Sequence, residues 1–216
     1  MNYELRIKKN KNTGYTIIET MIAVSLFLVI IMTGMGALLN ANLVHEKSRD
    51  MRSIMDNLSF VMEDIGRNLR TGTNYRCYSD WNQSEAQDSD LNTSRSCDSG
   101  RAIVFEEAYG FTPASPSPNA DPNGTDQWAY KIETADGGDT YDISKSTDGG
   151  LIWTQLNPEE VDLSSVSGFS VLGAEPPGGN EQQPFVTIRL VGTIFYKNVE
   201  TPFSLQTSVS QRVLDI

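Results

Sequence analysis

From Thr20 to Val44 the chain runs for 25 residues without a charge, rich in Ile, Leu, Val, Met and Ala. A helix needs roughly 20 apolar residues to cross the hydrocarbon core of a bilayer, so this segment reads as a membrane span. Beyond it the pattern turns amphipathic. Val44, Met51, Ile54, Leu58, Val61, Ile65 and Leu69 recur at steps of three, four or seven and make one helical stripe. His45, Glu46, Lys47, Arg49, Asp50, Arg52, Asp56, Glu63, Asp64, Arg67 and Arg70 stand between them as the solvent-facing side. No proline interrupts residues 15 to 70, so a single helix about 84 Å long, at 1.5 Å per residue, is allowed. The outer half must bury its stripe on something, and the rest of the chain is expected to supply a sheet. Thr71-Gly72-Thr73 is the natural stop, with Arg67 and Arg70 beside the negative helix end.

After residue 72, Ser, Asn, Asp, Gly, Thr and Pro punctuate short β-type runs, the signature of an antiparallel sheet. Strands are predicted over 102–107, 127–133, 141–145, 151–155, 166–172, 184–195 and 203–213. Asp148-Gly149-Gly150 is a hairpin turn signal between two of them. Segments 111–126 and 173–183 are Pro- and Gly-rich loops. The expected fold is α+β: a long N-terminal helix, transmembrane and then amphipathic, packed on an antiparallel β-sheet head.

Charge sets the orientation. The formal net charge is −11, yet the first 14 residues hold four basic side chains, Arg6, Lys8, Lys9 and Lys11, against one acid, Glu4. Setting those residues aside leaves 13 basic against 27 acidic side chains, a net of 14 negative on the remainder. Basic flanks resist translocation, so the leader stays cytoplasmic and everything after Val44 faces outward. So acidic a head, with its basic residues scattered, lacks the clustered positive surface that phosphate binding requires, and no direct nucleic-acid binding is expected. An ordinary secretory signal has a shorter apolar core and a small-residue cleavage site on the far side. Here the run is longer, and an acid, Glu19, sits at its start.

The stretch Lys11-Asn12-Thr13-Gly14-Tyr15-Thr16-Ile17-Ile18-Glu19 resembles the processing site of type IV pilins and type II secretion pseudopilins. In that family a short basic leader ends in Gly, an aromatic residue begins the mature chain, a Glu lies fifth after the cut and a hydrophobic helix follows. Tyr15 stands where the family usually has Phe. The resemblance implies cleavage between Gly14 and Tyr15 by prepilin peptidase, N-methylation of Tyr15, and pairing of Glu19 with the N-terminal amine of a neighbouring subunit. A carboxylate at a helix centre costs about 2.5 to 3.5 kcal/mol on insertion scales, and less near the hydrocarbon edge, so Glu19 calls for a partner. The family also often has a Pro, with local unwinding, in this part of the helix. This chain has Gly34 and Gly36 instead, and either unwinding or close approach of neighbouring helices accounts for them.

The resemblance gives a domain plan: leader 1–14, transmembrane and assembly helix 15–44, amphipathic continuation 45–71, and extracytoplasmic β-rich head 72–216. The order of parts is also similar to J-type minor pseudopilins and related minor pilins, on Met62-Glu63-Asp64-Ile65-Gly66-Arg67-Asn68-Leu69-Arg70 and on Leu205-Gln206-Thr207-Ser208-Val209-Ser210-Gln211-Arg212. Retention of Glu19 speaks against the K-type subunit, which commonly lacks it. The implied role is structural. A minor pilin or pseudopilin is a single-pass membrane protein that then joins a pilus or secretion pseudopilus; its partners are other subunits, the peptidase, the inner-membrane assembly platform and lipid. The alternative is a membrane-anchored extracytoplasmic binding or adhesion protein.

Cys77 and Cys97 are the only cysteines, and both lie in the exported part, where an oxidising milieu permits a disulfide around a loop of about 20 residues. A reactive or metal-binding thiol pair would want CxxC spacing or a nearby histidine, and His45 is the only histidine. It also leaves no further histidine for a metal cluster or triad in the head. Asp121, Asn123 and Asp126 form the best calcium candidate, with Asp136 and Asp139 second, although neither completes an EF-hand and turn chemistry explains both. No other cofactor is expected. Glu106 and Glu107 adjoin and point to opposite faces of a strand, which is poor geometry for a paired acid and base, so no enzyme is expected.

Overall fold

A computed structural model describes residues 14–81, 94–108, 127–135, 138–175, 182–196 and 199–212. One helix, α1 (Ile17–Thr71), precedes ten strands: β1 (Thr73–Tyr78), β2 (Cys97–Gly100), β3 (Ala102–Glu106), β4 (Trp128–Thr134), β5 (Tyr141–Ser146), β6 (Thr154–Gln155), β7 (Val161–Leu163), β8 (Gly168–Leu172), β9 (Phe185–Tyr196) and β10 (Val199–Ser210). The architecture is α+β. Contacts divide the chain into two compact units, residues 1–50 and 51–216.

In the first unit α1 is long and apolar enough to cross a membrane. Its large apolar side chains from Ile17 to Val44 are all exposed. Hydroxyl side chains within this run bond back to the helix: Thr20 Oγ1 to the Ile17 carbonyl (2.9 Å), Ser25 Oγ to Ile22 (2.9 Å) and Thr33 Oγ1 to Val29 and Ile30 (both 3.0 Å). They therefore need no water, which a helix in hydrocarbon cannot offer them.

In the second unit α1 buries Ile54, Leu58, Met62, Ile65, Gly66 and Leu69. The predicted stripe is therefore displaced: Met62 and Gly66 join it, Met51 and Val61 are only partly buried, and Val44 is exposed. Against these residues stand the alternate side chains of the sheet, among them Ile103 and Phe105 of β3, Tyr130 and Ile132 of β4, Ile143 of β5, Phe169 and Val171 of β8, and Ile188 and Leu190 of β9. Period-two alternation places them on one face. The sheet runs β1-β3-β4-β5-β7-β9-β8-β2, with β10 beside β9 and β6 beside β5, and every strand pairing is antiparallel. Its ends meet: the Cys77 amide donates to the Arg95 carbonyl (3.0 Å) and the Arg95 amide to Tyr75 (2.9 Å), so β1 lies against the residues leading into β2. The result is a barrel-like curl.

The exit from α1 has its backbone groups accounted for. The Gly72 amide reaches the Asn68 carbonyl at 3.0 Å, the Arg212 amide donates to Arg70 at 2.9 Å, and the Tyr75 hydroxyl lies against the carbonyls of Leu69 and Gly72. These are carbonyls that a helix end leaves without intrahelical partners. Gly72 is required by crowding, because a Cβ there would run into the Phe105 ring. Asn74, at φ 58°, then makes the irregularity in the β1–β3 register, a left-handed position that Asn tolerates better than most residues.

Asp64, expected to face solvent, is partly buried. Its carboxylate receives Asn68 Nδ2 at 3.1 Å and Lys145 Nζ at 3.3 Å, while Asn68 Nδ2 also reaches the Tyr130 hydroxyl at 2.9 Å. Lys145 lies 4.3 Å over the Trp128 ring. Burial pushes the Tyr130 hydroxyl well above its ordinary pKa, so it stays neutral, a polar pin between α1 and β4.

Leu58 lies fully buried between α1 and the sheet, whereas Phe60 points outward. Leu58→Ala is expected to cost about 2–5 kcal/mol in urea unfolding followed by tryptophan fluorescence. Phe60→Ala should stay within about 0.5 kcal/mol. Equal losses would contradict this packing.

Candidate functional site

The N-terminal candidates sit at the start of α1. Gly14 and Tyr15 precede the helix and are exposed, Tyr15 at 82%. Thr16 caps it: its Oγ1 accepts the Glu19 amide at 3.3 Å, and its carbonyl accepts the Thr20 amide at 3.2 Å. Thr16-Ile17-Ile18-Glu19 thus has the spacing of a capping box, with the acid in the first turn where the helix dipole favours negative charge. Glu19 therefore has a local role that sequence reasoning missed, although the Thr-x-x-Glu spacing was its visible signal. Gly34 and Gly36 lie in unbroken helix, and a Cβ at either would meet nothing within 4 Å. Among the described residues neither glycine packs against another part of the chain.

Cys77 of β1 and Cys97 of β2 form a disulfide, with Cα atoms 5.7 Å apart. It lies at the seam where the sheet curls back on itself. Gly100 backs directly onto it: a Cβ there would stand 3.0 Å from the Cys97 Sγ and 2.7 Å from the Tyr78 carbonyl oxygen. Segment 82–93, inside the closed loop, lies outside the described residues, as do the calcium candidates Asp121, Asn123 and Asp126 and also Asp136. Asp139 is exposed, and no group of three or more potential metal ligands occurs among the described residues. His45 is exposed on α1.

Of two polar constellations in the head, the first was not foreseen and the second elaborates the expected turn at Asp148-Gly149-Gly150. Arg76, Glu106 and Gln127 are buried together, Gln127 donating through Nε2 to Glu106 Oε1 (2.8 Å) and accepting from Arg76 Nη2 through Oε1. The amide spans the two charges and holds β1, β3 and the start of β4 in register. Of the adjoining acids Glu106 and Glu107, rejected as a catalytic pair on sequence, the first is buried in this network and the second is only partly buried.

The second constellation is the turn after β5. Asp148 Oδ1 accepts from Ser146 Oγ (2.7 Å) and from the amides of Leu151 (3.1 Å) and Ile152 (3.0 Å), while Ser146 Oγ accepts the Gly150 amide (2.9 Å). Gly149 and Gly150 take positive φ, 72° and 87°, and Trp153 Nε1 donates to the Gly150 carbonyl at 2.9 Å. Trp153 meets Trp81 edge-on at 4.6 Å, beneath Lys131 Nζ at 4.3 Å. This corrects one expectation: the strand predicted over 151–155 is only Thr154–Gln155, because Asp148 takes the amides of Leu151 and Ile152 out of the ladder. The pairing of β5 with β6 does form the expected hairpin.

The chain matches no protein-family model, no curated protein and no solved structure. What its sites can do rests on its own residues. They offer an apolar helix with a capped, acid-bearing start, a disulfide-sealed sheet and a rigid turn that displays Leu151 (56% exposed) and Ile152 (71%).

Removing the disulfide by Cys77→Ser with Cys97→Ser frees a loop whose closure entropy corresponds to about 3 kcal/mol. The melting temperature of the double variant should fall by several degrees, and an unchanged value would contradict a stabilising bridge. The Ile152 amide first, then Ser146, hold the Asp148 carboxyl below its ordinary value of 3.8, and Ser96 does the same for Glu175. A lowered folded-state pKa gives stability that is complete above the unfolded pKa and lost as pH falls through the folded one. Melting temperature should therefore drop below about pH 4, and Asp148→Asn should flatten that drop. Superimposable acid limbs for the two proteins would refute it.

Proposed function

We propose that the chain is a structural subunit of a type IV pilin-like filament, a minor pilin or pseudopilin of a pilus or type II secretion pseudopilus, and that it catalyses no reaction. Prepilin peptidase cuts between Gly14 and Tyr15, Tyr15 is N-methylated, and residues 15–44 hold the protein in the membrane until an assembly platform moves it into the filament. One observation carries the reading. The run from Ile17 to Val44 is apolar and exposed on every side, yet an acid stands in its first turn immediately after the expected cut.

A plain anchor needs no carboxylate there, and lipid alone gives it no counter-charge. A neighbouring subunit's terminal amine would do so, and a buried charge left without its partner is penalised by several kcal/mol, which enforces ordered addition. Gly34 and Gly36, with open space around both, suit the close approach of a second helix. The closed, disulfide-sealed head suits an extracytoplasmic milieu.

The native N-terminus tests this directly. Mass spectrometry of protein from its own membranes should give a chain that begins at Tyr15 and is one methyl group heavier than the bare sequence. Glu19→Ala should leave cleavage intact while reducing filament incorporation at least about tenfold, the loss of roughly one charge pair. An intact leader together with unchanged surface filaments, secretion and DNA uptake on deletion would favour the membrane-anchored binding protein instead.

A further inference from the structure

Among the described residues β10 is paired along one side only. Val191 of β9 accepts the Ser164 amide at 2.8 Å and donates to Ser167 Oγ at 2.9 Å, and the Phe195 amide donates to Glu160 at 2.8 Å. Odd-numbered residues of β9 therefore turn their backbone groups toward β7 and β8, and antiparallel alternation sends the even-numbered ones to β10. The register sets Leu190 against Leu205 and Ile188 against Thr207, so odd-numbered residues of β10 answer β9. Even-numbered residues face away. Pro202, which has no amide to donate, falls at such an outward position. From Ser204 to Ser210 the outward N–H and C=O groups have no backbone partner among the described residues. No Lys, Pro or bulge blunts that run, which is unusual for an edge.

The outer half of α1 runs beside this edge. Met62, Glu63, Arg67 and Arg70, with Leu205 to Val209 of β10, line an open groove of about 530 Å³. The groove narrows where Gly66 approaches Val209, since a Cβ at Gly66 would lie 3.3 Å from Val209 Cγ2. It ends where the Arg212 amide meets the Arg70 carbonyl. Arg67 and Arg70 thus stand at one end, Arg67 bonded to Asp64 at 3.3 Å and Arg70 exposed, although residues 15–216 hold 13 basic against 27 acidic side chains.

We propose that this groove receives one extended segment of a different polypeptide, which adds to β10 as a further strand and carries an acidic residue at the arginine end. Unpaired edge groups select an extended backbone, and side chains on alternate positions give the specificity. Arg70, with Arg67 one helical turn away, selects carboxylate. A second copy is a poorer occupant, because two heads repel, each with 8 basic against 21 acidic side chains over 72–216, while a short segment brings only local charge. The proposal does not depend on filament assembly and stands whichever fate the N-terminus has.

The test uses the full chain in detergent micelles and fluorescent peptides of about eight residues, read by anisotropy. One peptide alternates Thr and Val and ends in two Asp, a second ends in two Lys, and a third is the acidic one with alternate amides N-methylated on the pairing edge. The acidic peptide should bind at least about tenfold tighter than the other two, the equivalent of one charge-assisted pair or more. Arg67→Glu with Arg70→Glu should reverse the preference between the first two. Equal binding of acidic and basic peptides, or of the N-methylated and parent peptides, overturns the proposal. So does concentration-dependent self-association of the chain that displaces the acidic peptide, because the edge would then belong to a second copy. The N-methylated arm uses the unaltered protein and holds even where a variant fails to fold.

Discussion

Apolar side chains on α1 meet two different fates along one unbroken helix. From Ile54 to Leu69 they are buried against the sheet, and from Ile17 to Val44 they are exposed. Burying a large aliphatic side chain gains roughly 1.5–3 kcal/mol, so the exposed run is a large unmet demand for an apolar environment. Lipid meets that demand, and so do other helices. Nothing among the described residues does. The head, by contrast, is self-sufficient: it uses α1 as one wall of its core and seals its own sheet.

That sealing depends on polar as well as apolar contacts. A sheet that curls leaves two end strands with unpaired edges, and such edges invite association. β1 and β2 resolve this with backbone bonds through Arg95 and with the Cys77–Cys97 disulfide, and the buried Arg76–Gln127–Glu106 network ties β1 to β3 and the start of β4. Buried charges are stable when spanned by hydrogen bonds, and a partly satisfied network is worse than an apolar one. β10 is the exception among the long strands. Among the described residues its outer edge has no backbone partner along Ser204–Ser210, while its far end is fastened to the helix through Arg212 and Arg70.

The sequence made the long helix legible because periodicity over many turns is a strong signal, and Thr71-Gly72-Thr73 marked its end to the residue. Strands at 102–106, 128–134, 141–146 and 185–196 were legible from β-branched and aromatic runs. β1, β2 and β7 were not. Thr73–Tyr78 carries Asn74 and Arg76, Cys97–Gly100 is mostly polar, and Val161–Leu163 is only three residues long, so each depends on tertiary partners rather than on its own pattern. Val166 looked like the start of a strand but lies in a turn closed by the Ser167 amide on Ser164 at 3.0 Å. The last strand begins at Val199, earlier than Phe203, because β9 extends to Tyr196 and carries its partner with it. Asp64 could not be placed from helical position alone, since what turns it inward is Lys145, 81 residues away.

Glu19 shows how two scales of interaction meet in one side chain. At the local scale it occupies the third helical position after a threonine cap, where an acid is favoured by about 0.3–1 kcal/mol through the helix dipole. At the scale of an assembly, an unpaired carboxylate among apolar helices is penalised by several times that amount. The local term alone is too small to explain an acid beside so long an apolar run, because serine or glutamine would cap and start the helix at far less cost in lipid. The difference between the two terms is what makes the residue informative. A charge retained against its solvation penalty calls for an opposite charge close by, and under the proposed processing a newly freed amine would supply one of fixed position.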